Sequence, residues 1–164
     1  FKQTTAYEML RSLVGSEMCI RDRFLLLNGP NLNLLGKRET EIYGESSLEE
    51  IETNLVEIAK ENKVTLHTFQ SNAEHELVNR IQSGKEEDVA CILFNPGAFT
   101  HTSVALRDAI LGVDIPFIEI HISNIFNREA FREKSYFSDI AVGIISGFGE
   151  KGYKAALEMA IEKF

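Results

Sequence analysis

The stretch that decides the fold is Phe24–Gly44, FLLLNGPNLNLLGKRETEIYG. Its opening run, Phe24–Leu27, is wholly apolar and reads as a buried strand that stops at the turn-forming Asn28-Gly29-Pro30-Asn31. From there to Ser47 neither a helical nor a strand period is sustained. A loop of that length after the first strand of a domain is uncommon unless it covers or binds something. The expectation is a catalytic lid, with Arg38 and Tyr43 as its working parts.

Outward from this stretch, apolar strands alternate with amphipathic helices. Ser47 and Glu50 match a capping box, and Leu48, Ile51, Leu55 and Ile58 then hold helical spacing to about Asn62. Val64–Gln70 is a mixed strand. Ser71 or Asn72 is expected to cap a helix that turns Leu77, Val78 and Ile81 inward and stops at Ser83-Gly84. Val89–Phe94 is apolar throughout, as in a central parallel strand covered on both faces. Asn95-Pro96-Gly97 ends it, and a helix from Val104 to about Leu111 closes at Gly112. Pro116–Ile120 is the next strand, leading to His121-Ile122-Ser123-Asn124. Asn127 is placed to cap a short helix through Lys134, and Ile140–Ile145 is the last strand. The terminal helix opens in Gly147–Gly152 and carries Ala156, Met159 and Ala160 on one face. Five strands with helices between them predict a parallel α/β sheet in one domain over residues 24–164. Right-handed crossovers then bring every strand-to-helix loop to the carboxyl edge, where such sheets bind ligands.

The composition narrows the function. With 25 acidic against 17 basic residues in 164, the net charge of -8 argues against tracking nucleic-acid phosphates. A small anion is still bindable if a few arginines converge. Cys19 and Cys91 fit neither a metal spacing nor a disulfide framework, so a reducing cytoplasm is expected. No apolar run is long enough for a spanning helix, so no membrane partner is expected.

Several residues carry two readings. Gly147-Phe148-Gly149-Glu150-Lys151-Gly152 satisfies G-x-G-x-x-G. It has no following strand and no downstream acidic ribose ligand, so a tight turn is the better reading than a dinucleotide site. Tyr43 is either a loop-packing side chain or, with Arg38 nearby to favour the phenolate, a general base. His101 and His121 end different strands and lack partners at zinc spacing, leaving a structural histidine or an acid–base role for each. Asn31 and Asn95 are turn residues or ligands. Arg128 and Arg132, four apart on a predicted helix, make either a solvated basic face or a clamp on a carboxylate. Arg107 and Asp108 read as an exposed pair or an intersubunit contact.

Taken together, NGPNLNLLGKRETEIYG, FNPGAFTHTSVALRDA, IPFIEIHISNIFNREAFREKSYFS and AVGIISGFGEKGY closely resemble type II 3-dehydroquinate dehydratases, the type II dehydroquinases. The resemblance implies a flavodoxin-like fold of strand order 2-1-3-4-5 and a homo-oligomer of trimers built into a dodecamer. It also implies elimination of water from 3-dehydroquinate to give 3-dehydroshikimate, through an enolate and with no metal or organic cofactor. That reaction serves aromatic amino acid biosynthesis by the shikimate pathway, or quinate catabolism. By position, Tyr43 matches the base, Arg38 its activator, Asn31 the residue orienting the water on the enolate, and His101 the acid. Asn95, His121, Ile122, Ser123 and Arg132 match the substrate-binding set. Asp108 matches a residue reaching a neighbouring subunit's site, and Glu119 one that supports His121. Thr40 departs from the proline more usual in the family's lid, which frees a φ angle. The competing class is a flavodoxin-like module that binds flavin or phosphate in the same crevice without catalysis.

Residues 1–23 fit none of this. They show neither a strand period nor a signal-peptide core, and Ser12–Arg23 resembles a translated sequencing adapter. The expectation is a non-native or disordered extension, with the native chain starting close to Phe24.

Overall fold

The computed structural model describes residues 22–37 and 46–164. Among these, β1 (Arg23–Asn28), β2 (Thr65–Gln70), β3 (Val89–Asn95), β4 (Phe117–His121) and β5 (Gly143–Ser146) form one parallel sheet. Its order is β2-β1-β3-β4-β5, the order the family resemblance implied. Helices α1 (Leu48–Glu61) and α4 (Lys151–Lys163) pack on one face, and α2 (Glu74–Glu86) and α3 (Val104–Val113) on the other. None of the described helices is long and apolar enough to cross a membrane.

The uniform apolar runs of β1 and β3 follow from this sandwich, because alternate side chains enter different cores. Phe24, Leu26, Cys91 and Leu93 pack beneath α1 and α4, while Leu25, Leu27, Ile92 and Phe94 pack beneath α2 and α3. Each of these leucines is fully buried and contributes about 1.5–3 kcal/mol. The same alternation turns Asn28 and Asn95, the last residues of their strands and register partners, toward the α4 side.

Beyond the strands, β1 and β3 bring their exit loops into contact. Gly29 donates its N–H to the Asn95 carbonyl at 2.8 Å, and a Cβ on Gly29 would lie 2.1 Å from the Pro96 carbonyl oxygen. Backbone cannot swing aside as a side chain can. Gly29→Ala is expected to cost about 1–3 kcal/mol or more, read as a fall of several degrees in Tm. An unchanged Tm would mean that the two loops separate at no cost.

Some boundaries differ from expectation for identifiable reasons. The Ser47–Glu50 capping box forms, but neither Ser71 nor Asn72 caps α2. The Ser71 hydroxyl instead accepts from the Ala73 N–H at 2.9 Å, and Asn72 Oδ1 accepts from the Asn31 N–H at 2.9 Å. Gly84 does not stop α2; it is buried within the helix against Ile115. Gly112 does not close α3, because Asp114 takes the left-handed position after Val113. The helix expected from Asn127 through Lys134 is two short 3-10 turns, Ile125–Asn127 and Ala130–Arg132. Asn124 caps the first by accepting from the Phe126 N–H, and an extended Arg128 separates the two. In α4, Tyr153, Ala156, Leu157 and Ala160 face inward, whereas Met159 is exposed.

Candidate active site

A cleft of about 260 Å³ opens at the carboxyl edge of the sheet, where the loops after β1, β3 and β4 meet. Among the described residues, Asn31 reaches it from the β1 loop, Asn95 and His101 from the end of β3, and His121, Ile122 and Ser123 from the end of β4. Arg128, Glu129 and Arg132 close one side. Eight residues singled out by sequence thus meet in one place: Asn31, Asn95, His101, His121, Ile122, Ser123, Arg128 and Arg132. Arg38, Thr40 and Tyr43 lie outside the described residues. Asp108 is exposed on α3 and does not line this chain's cleft.

Asn31 adopts a left-handed backbone, with φ 67°, which asparagine tolerates better than most residues. Its carbonyl accepts from the Leu34 N–H, so the turn Leu32–Leu34 fixes where its side chain starts. The glycine-rich segment after β5 also serves the cleft. Gly147, at φ 90°, donates its N–H to the His121 carbonyl at 3.1 Å, and Gly149 donates to the Ile122 carbonyl at 2.9 Å. Here the G-x-G-x-x-G glycines are turn residues that pin the end of β4.

The two histidines are held differently. His121 Nε2 donates to Glu119 Oε1 at 2.7 Å, which leaves Nδ1 for the cleft. Glu119 is fully buried and also accepts from the hydroxyls of Ser135 at 2.6 Å and Ser138 at 2.5 Å. Burial by itself would raise the Glu119 pKa. The hydrogen bonds from His121, Ser135 and Ser138 outweigh it and hold the carboxyl below its ordinary value. An ionised carboxylate therefore stands behind His121. His101 instead donates from Nδ1 to the Lys134 carbonyl at 2.8 Å and turns Nε2 to the cleft. Desolvation, reinforced by the charges of Arg132 and His121, lowers its pKa despite the Lys134 carbonyl and Glu119. At neutral pH His101 is a neutral ring whose Nε2 accepts hydrogen bonds.

Glu129 organises the basic side. Its Oε2 lies 2.9 Å from Arg132 Nε and 3.6 Å from Arg128 Nε, and Arg128 Nη1 stands 3.5 Å from the Ser123 hydroxyl. The arginines converge through this shared carboxylate, not through a common helical face. The result is a basic wall inside an acidic protein, suited to a small carboxylate. Ser135 and Ser138 escaped the sequence reading, and their only signal was a place within IPFIEIHISNIFNREAFREKSYFS; Glu129 was expected only as an ion partner on a solvated basic face.

A family model described as dehydroquinase class II matches residues 22–161. The chain belongs to this family. Among class II dehydroquinases, it is 61% identical over 139 residues to the 3-dehydroquinate dehydratase of Thioalkalivibrio sulfidiphilus, covering 85% of this chain and 95% of that one. It is 60% identical over 139 residues to the 3-dehydroquinate dehydratase of Hahella chejuensis, again covering 85% of this chain and 95% of the relative. The crystal structure of type II dehydroquinase from Butyrivibrio crossotus superimposes with a TM-score of 0.83 at 40% identity, covering 85% of this chain and 97% of that one. The expected flavodoxin-like architecture is therefore the family's own.

Proposed function

We infer that this chain is a type II 3-dehydroquinate dehydratase, converting 3-dehydroquinate to 3-dehydroshikimate. The observation that carries the reading is the meeting of Asn95, His101, His121 and Arg132 in one cleft of a chain that belongs to this family. No lysine lines the described part of the cleft, in keeping with an enolate route in place of a Schiff base.

In this mechanism Tyr43, activated by Arg38, removes the proton beside the ketone, and the electron pair moves onto the ketone oxygen as an enolate. A water held by Asn31 donates a hydrogen bond to that oxygen. The enolate collapses to the conjugated enone as the β-hydroxyl leaves, taking a proton from a histidine and departing as water. The sequence resemblance gave that last role to His101, but the geometry favours His121. The Glu119 carboxylate holds His121 Nε2 and so leaves Nδ1 to face the departing hydroxyl, whereas His101 Nε2 is bare at neutral pH. We assign His101, with Asn95 and Ser123, to the substrate hydroxyls, and Arg132 to the substrate carboxylate.

Glu119→Gln is expected to lower kcat about tenfold to a hundredfold, the usual cost of losing a partner that orients a histidine. The substitution also tests linkage. Because the folded pKa of Glu119 is depressed, its ionisation stabilises the fold fully above the ordinary carboxylate pKa, and this contribution is lost as pH falls through the lowered value. The variant should lose that acidic limb of the Tm–pH curve.

The remaining expectations extend this proposal. The family resemblance implies a homo-oligomer of trimers within a dodecamer, in which Asp108, exposed on α3, would reach the cleft of a second copy. The location is cytoplasmic. Residues 1–21 precede both the family match, which begins at residue 22, and β1, which begins at Arg23, so the proposed extension that catalysis does not use ends before Arg23 and not at it. The direct test adds 3-dehydroquinate to chelator-treated full chain and follows the ultraviolet absorbance of the conjugated enone. A rising signal supports the assignment, and folded protein with none overturns it.

A further inference from the structure

Behind the cleft floor lies a polar chain that the reaction does not consume. Asn95, at the end of β3, is 3% exposed and lines the cleft. Its Nδ2 donates to Tyr153 Oη at 2.6 Å. Tyr153, fully buried on α4, donates its hydroxyl to Asn28 Oδ1 at 2.9 Å. Asn28, fully buried at the end of β1, donates from Nδ2 to Glu52 Oε1 at 3.0 Å. Glu52 is the half-buried far end, on α1, and also accepts from the Thr68 hydroxyl.

We propose that Tyr153, Asn28 and Glu52 are positioning residues for substrate binding: together they set which face of the Asn95 amide the cleft presents. At the cleft end the Gly97 backbone N–H, which can only donate, meets Asn95 Oδ1 at 3.2 Å. At the far end burial raises the Glu52 pKa, but its Oε1 accepts from Asn28 Nδ2, an arrangement the carboxylate form enforces because it can only accept, and this turns Asn28 Oδ1 toward Tyr153. The phenol then has to donate to Asn28, and its oxygen is left to accept from Asn95. Both ends demand the same sense, and every link is satisfied; no described buried side-chain polar atom lacks a partner. Asn95 Nδ2 spends one hydrogen on Tyr153 and retains the other for the cleft. An amide locked in this way offers a substrate hydroxyl a fixed donor and costs no reorientation on binding. Burial raises the Tyr153 pKa, which keeps the phenol protonated and the sense of the chain unchanged.

This inference rests on the dehydratase reading, and the experiment separates the two. Steady-state dehydration of 3-dehydroquinate by the wild-type chain is compared with Tyr153→Phe, Glu52→Met and Glu52→Gln, each first shown folded by circular dichroism. Tyr153→Phe keeps the ring and removes the link; KM is expected to rise about tenfold with kcat changed less than about threefold. Glu52→Met removes the acceptor at a half-exposed position and is expected to raise KM about threefold or more. Glu52→Gln restores an acceptor oxygen and is expected to return KM to the wild-type value. This rescue, and the separation of KM from kcat, would not follow from a packing role. If Tyr153→Phe fails to fold, the Glu52 pair decides the matter by itself. Wild-type KM in both Tyr153→Phe and Glu52→Met overturns the positioning chain alone. Absence of turnover in the wild type overturns it together with the dehydratase reading.

Discussion

Tyr43→Phe is expected to lower kcat by about 10²–10⁴-fold, the range a positioned general base contributes. A free phenol has a pKa near 10 and is a weak base at neutral pH. In the proposed mechanism the Arg38 guanidinium, five residues earlier in the sequence, favours the phenolate and brings the base toward working pH. Phenylalanine keeps the ring and loses only the oxygen that takes the proton. The defect should therefore fall on kcat, with circular dichroism and Tm near wild type. Arg38→Ala should raise the pH at which the rate levels off, because the phenolate then forms only at higher pH. Near-normal turnover in Tyr43→Phe would remove Tyr43 from the mechanism.

The parts legible in the sequence were those governed by local chemistry. The unbroken apolar runs of β1 and β3 announced strands covered on both faces, and Ser47 with Glu50 announced the start of α1; both are as read. From strand order alone, Asn95, His101 and His121 were placed at one edge of the sheet, and they line one cleft. Less legible were features set by partners distant in sequence. Asn72 has the chemistry of a helix cap, yet its oxygen is taken by the Asn31 N–H from the β1 loop. Arg128 and Arg132 have helical spacing, yet an extended Arg128 breaks the helix, and Glu129 brings the two arginines together by charge. Tyr153 looked like any apolar residue on the inner face of a helix. Only the register of Asn28 with Asn95 reveals that its hydroxyl bridges two strand ends.

The division of labour between His101 and His121 carries the second large expected effect. Both rings line the cleft, His121 buried and His101 half-buried, and what stands behind each ring differs. His121 has the Glu119 carboxylate on Nε2, itself held ionised by His121, Ser135 and Ser138. That arrangement fixes the orientation of the ring and which nitrogen faces the cleft. His101 has a backbone carbonyl on Nδ1 and a lowered pKa, so it enters the reaction without a proton to give. Removing the donor forces departure of bare hydroxide, a loss on the scale of general acid catalysis, about 10²–10⁴-fold in kcat. Removing a neutral hydrogen-bond acceptor costs binding first.

The measurement that tests this most directly is the enone-forming rate of His121→Gln and His101→Gln on the same 3-dehydroquinate series, with both variants shown folded. The account predicts that His121→Gln loses about 10²-fold or more in kcat, while His101→Gln shows mainly a raised KM. A greater loss of kcat in His101→Gln than in His121→Gln would contradict it and return the proton to His101.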